Sequence, residues 1–311
     1  MESLPPSPDF EHQMRLLRKR DPGRFLTLYL NLFGSFASVA GSKSFQNLYR
    51  QIASLRATKL PIDMRLEARG PALQAKLSSK DVDAWFHIES KSDYSQVSTF
   101  HNKEAETQEW IASFERGEVF FDIGANIGLF SIYAAAQPVK AHTVVAFEPS
   151  FNSLNSLCWT IHHNNLSDHV IPLNVGLSDK TGLDTFNFKR MESGTAKSVV
   201  GAPVDFRNRQ FVPAATQNIL VFALDDAIDH LGLPIPHHIK IDVDGIEMKV
   251  VSGAKRTLSN PRVRSIMVEA ADEGMESALV REFDPLGFKL TKQQKKILDQ
   301  SNTRNNYFSR A

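Results

Sequence analysis

Four acids in this chain stand at the ends of apolar runs. Asp122 follows Val119-Phe120-Phe121, and Glu148 follows Val144-Val145-Ala146-Phe147. Asp179 closes Asn174-Val175-Gly176-Leu177-Ser178, and Asp242 closes His238-Ile239-Lys240-Ile241. A carboxylate where a buried strand ends faces whatever the next turn holds, and it can accept hydrogen bonds, balance a cation or take a proton. Between the first two acids, Ile123-Gly124-Ala125-Asn126-Ile127-Gly128-Leu129 passes through two glycines into a helical pattern. That is a strand feeding a tight turn whose helix N-terminus points at a ligand.

A dinucleotide is the first candidate, because Glu148 lies where a ribose-binding acid belongs. The dinucleotide fingerprint wants glycine at the first, third and sixth places of the turn. Here they are Gly124, Asn126 and Leu129, so two of three fail. A side chain at the third place blocks the approach of a pyrophosphate, whereas the Asn126 amide suits the carboxylate or amine of an amino acid. The acids and their neighbours then divide along one ligand. Glu148 accepts from both ribose hydroxyls, Phe147 lies against an adenine, and Asp179 or the backbone beside it reads the adenine amino group. Asp122 balances a positive amino end. An adenosine joined to an amino acid is S-adenosylmethionine.

These groups need a frame that brings strand ends together. Apolar runs over 119–123, 143–147, 170–175, 238–243 and 265–269 alternate with helical stretches over 150–164, 247–258 and 276–283, and the tail adds 287–290 and 306–309. The pattern is an α/β fold: a doubly wound, Rossmann-like, seven-stranded and mainly parallel sheet with helices on both faces. Pro172 puts its strand at an edge, since proline cannot donate to a ladder. A helix over 104–114 stops at Gly117. Upstream, residues 1–58 read as helical. Ile62, Met64, Leu66 and Ala68, then Leu73, Ala75 and Leu77, alternate around Gly70-Pro71 as a β-hairpin. Residues 1–100 are therefore expected to be an accessory region and 101–311 the ligand-binding domain. A loop as long as 189–217 is usually functional or disordered.

Composition excludes little but does so cleanly. Thirty-six basic and 35 acidic residues leave a formal charge of +1, with no global pull toward nucleic acid. Cys158 is the one cysteine, which rules out an intrachain disulfide and a cysteine-based zinc site and suits a reducing, cytoplasmic compartment. The most apolar run, 25–37, is shorter than the ~20 residues of a spanning helix and reads as a buried accessory helix.

The chain resembles the FkbM-type S-adenosylmethionine-dependent methyltransferases from about residue 104 to its end. Phe121-Asp122-Ile123-Gly124-Ala125-Asn126-Ile127-Gly128 is similar to the first motif of that family and Phe147-Glu148-Pro149 to the second. Asn174-Val175-Gly176-Leu177-Ser178-Asp179 is similar to the third-strand motif. Leu224-Asp225-Asp226 followed by Ile239-Lys240-Ile241-Asp242-Val243-Asp244-Gly245-Ile246-Glu247 is similar to the most distinctive segment, and Gly253-Ala254 and Asn306-Tyr307-Phe308 match further. Asp244 departs from the pattern, which usually has Glu there. The resemblance implies O-methylation of a hydroxyl on a sugar or other small metabolite. It also implies a cofactor site at Asp122, Gly124, Asn126, Gly128, Phe147, Glu148, Pro149, Ser178, Asp179 and Asp242.

Methyl transfer to a hydroxyl needs alignment and a base. Asp242 is the first candidate for base or orienting group, with Glu247 and Glu269 behind it. His237 and His238 precede their strand and fall at its far end. A divalent metal on Asp242, Asp244 and Glu269 is the less favoured arrangement, because acids at strand ends in this fold commonly bind cofactor or cap the next helix. Bland readings stand beside several of these. Ser178 and Asp179 suit a turn, Asp225 and Asp226 an N-cap, His162 and His163 a solvated pair. Arg190, Arg207 and Arg209 are expected to be solvated or to meet an anionic substrate. The expected partner is a hydroxylated small molecule, not a nucleic acid, with a homo-oligomer left open. N-methylation would want an Asn/Asp-Pro-Pro-aromatic motif where Asp242-Val243-Asp244-Gly245 stands. A cofactor-binding regulatory or assembly subunit without turnover is the alternative from a different class.

Overall fold

The computed structural model describes residues 65–69, 72–78, 82–137, 142–196, 198–205, 209–295 and 303–310. The expected helices over 1–58, the apolar run 25–37, the turn at Gly70-Pro71 and Arg207 lie outside the described residues. In chain order the strands are β1 (Arg65–Arg69), β2 (Ala72–Ser78), β3 (Asp83–Ile88), β4 (Val119–Ile123), β5 (Thr143–Phe147), β6 (Val170–Leu173), β7 (Gly176–Ser178), β8 (Gly182–Phe188), β9 (Val199–Val200), β10 (Ala215–Ala223), β11 (His238–Ile241), β12 (Ser265–Ala270), β13 (Phe288–Lys295) and β14 (Arg304–Arg310). The helices are α1 (Lys91–Lys103), α2 (Ala105–Ala112), α3 (Leu129–Ala135), α4 (Phe151–His163), α5 (Leu224–Leu231), α6 (Glu247–Ser252), α7 (Lys255–Ser259) and α8 (Glu273–Phe283).

A seven-stranded sheet in the order β13-β14-β12-β11-β4-β5-β6 forms the centre. Its strands run parallel from β12 to β6, and β14 is antiparallel to both neighbours. Strands β4 and β11 are buried along their whole length, as continuous apolar runs in a two-sided sheet require. Strand β6 lies at the edge, where Pro172 costs no ladder bond. One face packs Phe120, Val144 and Ala146 against Ile111 of α2, Ile132 of α3 and Leu157 of α4. The other packs Phe121, Ile123 and Ile239 against Ala227 of α5, Val250 of α6, Leu258 of α7 and Phe283 of α8. Strand order reverses between β4 and β11, so the cleft opens at their carboxyl ends.

The hairpin of β1 and β2 is present and pairs antiparallel, and β3 extends it to a three-stranded sheet. Ala75, Phe86, Val97 and Phe100 share one core with Phe120 and Val144, so the described part of the first hundred residues packs directly on the central sheet. Helix α1 was not foreseen. Ser90 starts it with a capping box: its hydroxyl accepts from Asp93 N at 3.0 Å and Asp93 Oδ2 accepts from Ser90 N at 3.1 Å.

Three expectations need correction. The 189–217 stretch is not one irregular loop, because it holds β9 and the start of β10, and β7, β10, β8 and β9 form a four-stranded sheet of their own. The helix expected over 247–258 breaks into α6 and α7 at Gly253. A Cβ there would stand 2.1 Å from the main-chain oxygen of Ser178, so the backbone is fixed by a neighbour distant in sequence. Asp225 does not cap its own helix either. Its carboxylate accepts from Arg256 N, Thr257 N and Thr257 Oγ1, which caps α7 instead.

Candidate active site

The turn after β4 is built by three left-handed residues, Gly124 (φ 78°), Asn126 (φ 53°) and Gly128 (φ 86°). Gly124 N and Ala125 N both donate to the Phe147 carbonyl at 3.0 Å, tying the turn to the end of β5. Gly124 is required twice over, by its positive φ and because a Cβ would lie 1.9 Å from the main-chain oxygen of Asp242. Asn126 N donates to Glu148 Oε2 at 2.7 Å, and Ser150 N donates to Glu148 Oε1 at 2.8 Å. Asn174 Nδ2 reaches the carbonyls of Glu148 and Pro149 at 3.0 Å, which fixes the loop that carries the acid. Burial pushes the Glu148 carboxyl up to about 7, against the pull of its two main-chain amides, with Asp122 and Asp244 adding to the rise.

A cavity of about 540 Å³ opens over these strand ends, within the ~300–1,000 Å³ of small-molecule sites. Gly124, Asn126, Phe147, Glu148, Pro149, Asp242 and Glu269 line it, and so does Asp244. Asp122, Gly128, Ser178, Asp179 and Glu247 do not.

Each of those five has a visible occupation elsewhere. Asp122 is fully buried, accepts from Ser131 Oγ at 2.7 Å and pairs with Lys240 Nζ at 3.3 Å. Its expected contact with a cationic amino end gives way to an internal ion pair. Gly128 packs against Leu157. Ser178 ends β7 in the second sheet, paired with Ala223, and donates to Asp179 Oδ1 at 3.1 Å. The cavity meets Val175, Gly176 and Leu177 instead, and Phe186, Val200 and Ile246 line it as well. Glu247 is buried and accepts from Gly245 N at 3.0 Å; burial pushes its carboxyl up to about 7, and Asp242 and Asp244 add to the rise.

His238 lies at the amino end of β11, stacked on Phe114 at 3.7 Å and bonded to Glu118 and Ser265, at the far end from the cavity. Arg209 pairs with Asp205, whereas Arg190 lines the cavity. His162 and His163 fall in the last turn of α4.

Sequence reasoning missed two parts of the site. Lys240 lines the cavity, and its buried ammonium lies between Asp122 Oδ1 (3.3 Å) and Asp242 Oδ2 (3.5 Å). The available signal was a lysine inside a strand otherwise fit for full burial. Ser92, Ser95 and Gln96 of α1 also line the cavity, as do Gly194 and Thr195. That wall is clamped: Ser90 Oγ donates to Ser193 O at 2.7 Å, Ser92 Oγ to Gly194 O at 2.8 Å, and Gln96 Nε2 also reaches Gly194 O. Ser90-Lys91-Ser92-Asp93 is a readable capping signal that would have located α1.

The residues fit S-adenosylmethionine by observations of their own. Asn126 Oδ1 is buried beside the cavity with no hydrogen-bond partner among the described residues, as suits an amide awaiting an amine. Glu148 keeps lone pairs beyond its two amide bonds for a ribose diol. Fold, turn and cavity together define an S-adenosylmethionine-dependent methyltransferase. The family model for the methyltransferase FkbM domain matches residues 122–290, and the chain belongs to that family.

Among curated proteins the chain is similar to the hexuronic acid methyltransferase AglP of Haloferax volcanii. Identity is 24% over 186 residues, 60% of this chain and 70% of that protein. It is also similar to the AMB antimetabolite synthetase AmbE of Pseudomonas aeruginosa, with 28% identity over 226 residues. That match takes in 61% of this chain but spans only 10% of the synthetase. Among solved structures, a methyltransferase FkbM from Methylobacillus flagellatus aligns at 17% identity and TM-score 0.42, covering 71% of this chain and 56% of that one. A precorrin-6y C5,15-methyltransferase from Geobacter metallireducens aligns at 13% identity and TM-score 0.41, covering 67% and 87%. No helix among the described residues is long and apolar enough to cross a membrane. Among the same residues no group of three or more His, Cys, Asp or Glu side chains is placed to hold a metal ion.

Proposed function

We propose that this methyltransferase acts on a hydroxyl oxygen of a sugar or comparable small metabolite. The observation that carries the reading is the Asp242 carboxylate, which opens at the end of β11 into the same cavity as the Gly124–Asn126 turn and Glu148. The name of the Haloferax volcanii relative, a hexuronic acid methyltransferase, supports a sugar-like acceptor.

In this reading Glu148 holds the ribose, Asn126 the amino-acid end, and Phe147 with the Val175, Leu177, Phe186 and Val200 slot the adenine. Bound S-adenosylmethionine supplies an electrophilic methyl carbon on a sulfonium. Asp242 accepts the acceptor's hydroxyl proton as the new carbon–oxygen bond forms and the carbon–sulfur bond breaks, leaving a methyl ether and S-adenosylhomocysteine. Glu269, on the neighbouring strand, orients the acceptor. Aligning the two reacting atoms is worth roughly 7–11 kcal/mol, and the base adds about 10²–10⁴-fold.

Residues 1–100 then act as an accessory region to a methyltransferase domain over 101–311, with the clamped wall of α1 on the acceptor side. A cytoplasmic location belongs to the same proposal.

A screen of hydroxylated acceptors with methyl-labelled S-adenosylmethionine, run with and without chelator, tests the reading. Label transfer to a sugar hydroxyl that survives chelation supports it, and transfer to nitrogen or a strict metal requirement overturns it. Cofactor binding without turnover on any acceptor would favour a regulatory subunit. Asp242→Asn is expected to cut turnover by about 10²-fold or more with little loss of stability, and near-normal rates would remove Asp242 from the chemistry.

A further inference from the structure

Lys240 lies in register between Asp122 on β4 and Met267 on β12, in the middle of the central sheet. Its side chain is 2% exposed, Nζ is 3.3 Å from Asp122 Oδ1 and 3.5 Å from Asp242 Oδ2, and the Phe130 ring of α3 lies 5.3 Å away. Ser131 of the same helix holds the Asp122 carboxylate from the other side. Asp122 is shut away from the cavity, and Asp242, with 22% of its side chain exposed, opens into it. The ammonium therefore joins a sealed carboxylate to an open one.

Asp122 alone would serve a purely structural ion pair. The surroundings of Asp242 ask for more. Asp244 lies in the turn that follows it, Glu247 begins α6, Glu269 comes from β12, Glu148 follows β5 and Glu104 precedes α2. All but Glu247 line the cavity with it, and Glu247 feels its charge. Helix α3 contributes Phe130 and Ser131, and β12 contributes Met267, none of them charged. Arg190 and Lys240 are the cations among the described residues lining the cavity. Like charges favour the protonated acid, and a protonated acid cannot take the proton of an acceptor hydroxyl.

We propose that Lys240 is a positioning residue for methyl transfer, anchored by Asp122 so that its ammonium keeps the Asp242 carboxylate ionised and aimed into the cavity. This rests on the reading that Asp242 is the base. The pair Asp122–Lys240 is then a fixed counter-charge built into two adjacent strands, and it acts on the acceptor only through Asp242.

The test follows the Asp242 carboxyl directly by carbon-13 NMR of aspartate-labelled protein in its complex with S-adenosylhomocysteine, assigned with Asp242→Asn. Lys240→Met leaves Asp122 buried without its ammonium and can fail to fold. The Asp122→Asn, Lys240→Met double variant removes both charges and is compared with Asp122→Asn alone. Removing the lysine in that background is expected to raise the Asp242 titration midpoint by about one pH unit or more, roughly tenfold in its acid constant. Once an acceptor is known, the same comparison is expected to show roughly 10²-fold lower kcat with cofactor affinity within about threefold. A midpoint that stays within about a third of a unit would confine Lys240 to the Asp122 pair and overturn the proposal. Near-normal turnover of Asp242→Asn overturns it by a different route, removing the base while leaving the measured coupling intact.

Discussion

Glu148 gives the most direct handle on the cofactor site, because two main-chain amides already occupy its two oxygens and burial still holds its proton to about pH 7. A ribose diol donates to the ionised carboxylate, so binding must first remove that proton. If the complex stays ionised, affinity is divided by one plus the ratio of protonated to ionised acid. Between about pH 8 and pH 5.5 that factor grows about 30-fold, close to 2 kcal/mol. Titration calorimetry with S-adenosylhomocysteine should therefore show Kd weakening about 30-fold over this range and reaching a plateau above neutrality. Near pH 7 buffers of different ionisation enthalpy should report about half a proton released per cofactor bound. Glu148→Gln should bind more weakly at high pH and lose the slope, whereas Glu247→Gln should keep it. A flat profile in the parent protein, or an equal slope in Glu148→Gln, would refute the ribose assignment.

Glu247 carries a stability signature that runs the other way with pH. Its folded value near 7 lies above the ordinary glutamate value of 4.5, so its contribution is complete below 4.5 and lost as pH rises through 7. Glu247→Gln should remove a decline of about 3 kcal/mol over that window in urea titrations of the cofactor-free protein. Gly124→Ala should cost about 2–4 kcal/mol in chemical denaturation and abolish cofactor binding, since its Cβ meets the main chain of Asp242 and its φ is left-handed. Asp225→Ala should cost about 1–2 kcal/mol by uncapping α7, with S-adenosylhomocysteine affinity unchanged by calorimetry.

The readable parts of this chain are those whose physics is local. Buried parallel strands such as β4 and β11 announce themselves as apolar runs, Ser150 marks the start of α4, and Pro172 marks an edge. What escaped depends on partners far along the chain. The residue between α6 and α7 must be glycine because the Ser178 carbonyl lies against it, and β9 is two residues that are a strand only because β8 is beside them. The site divides the same way. Gly124, Asn126 and Glu148 are legible from the turn they form. Ser178 and Asp179 read as a ligand contact with a turn as the blander reading, and in the structure Ser178 pairs in register with Ala223 while neither residue lines the cavity. Lys240 was visible as a charge in a buried strand, but its meaning needed the neighbouring strand that brings Asp122 to it.

The four-stranded sheet of β7, β10, β8 and β9 has a consequence for how such an enzyme can diversify. Strand β7 leaves the edge of the central sheet and β10 returns beside it, with Gly176 opposite Val221 and Ser178 opposite Ala223. The segment 179–214 between them leaves and rejoins through adjacent strands, and β10 runs directly into α5. That segment supplies Phe186, Arg190, Gly194, Thr195 and Val200 to the cavity, yet none of the strands β4, β5, β11 and β12 runs through it. Its Arg190, Gly194 and Thr195 can therefore vary what the cavity admits, whereas Phe186 and Val200 must be kept if the adenine slot is to stay as it is.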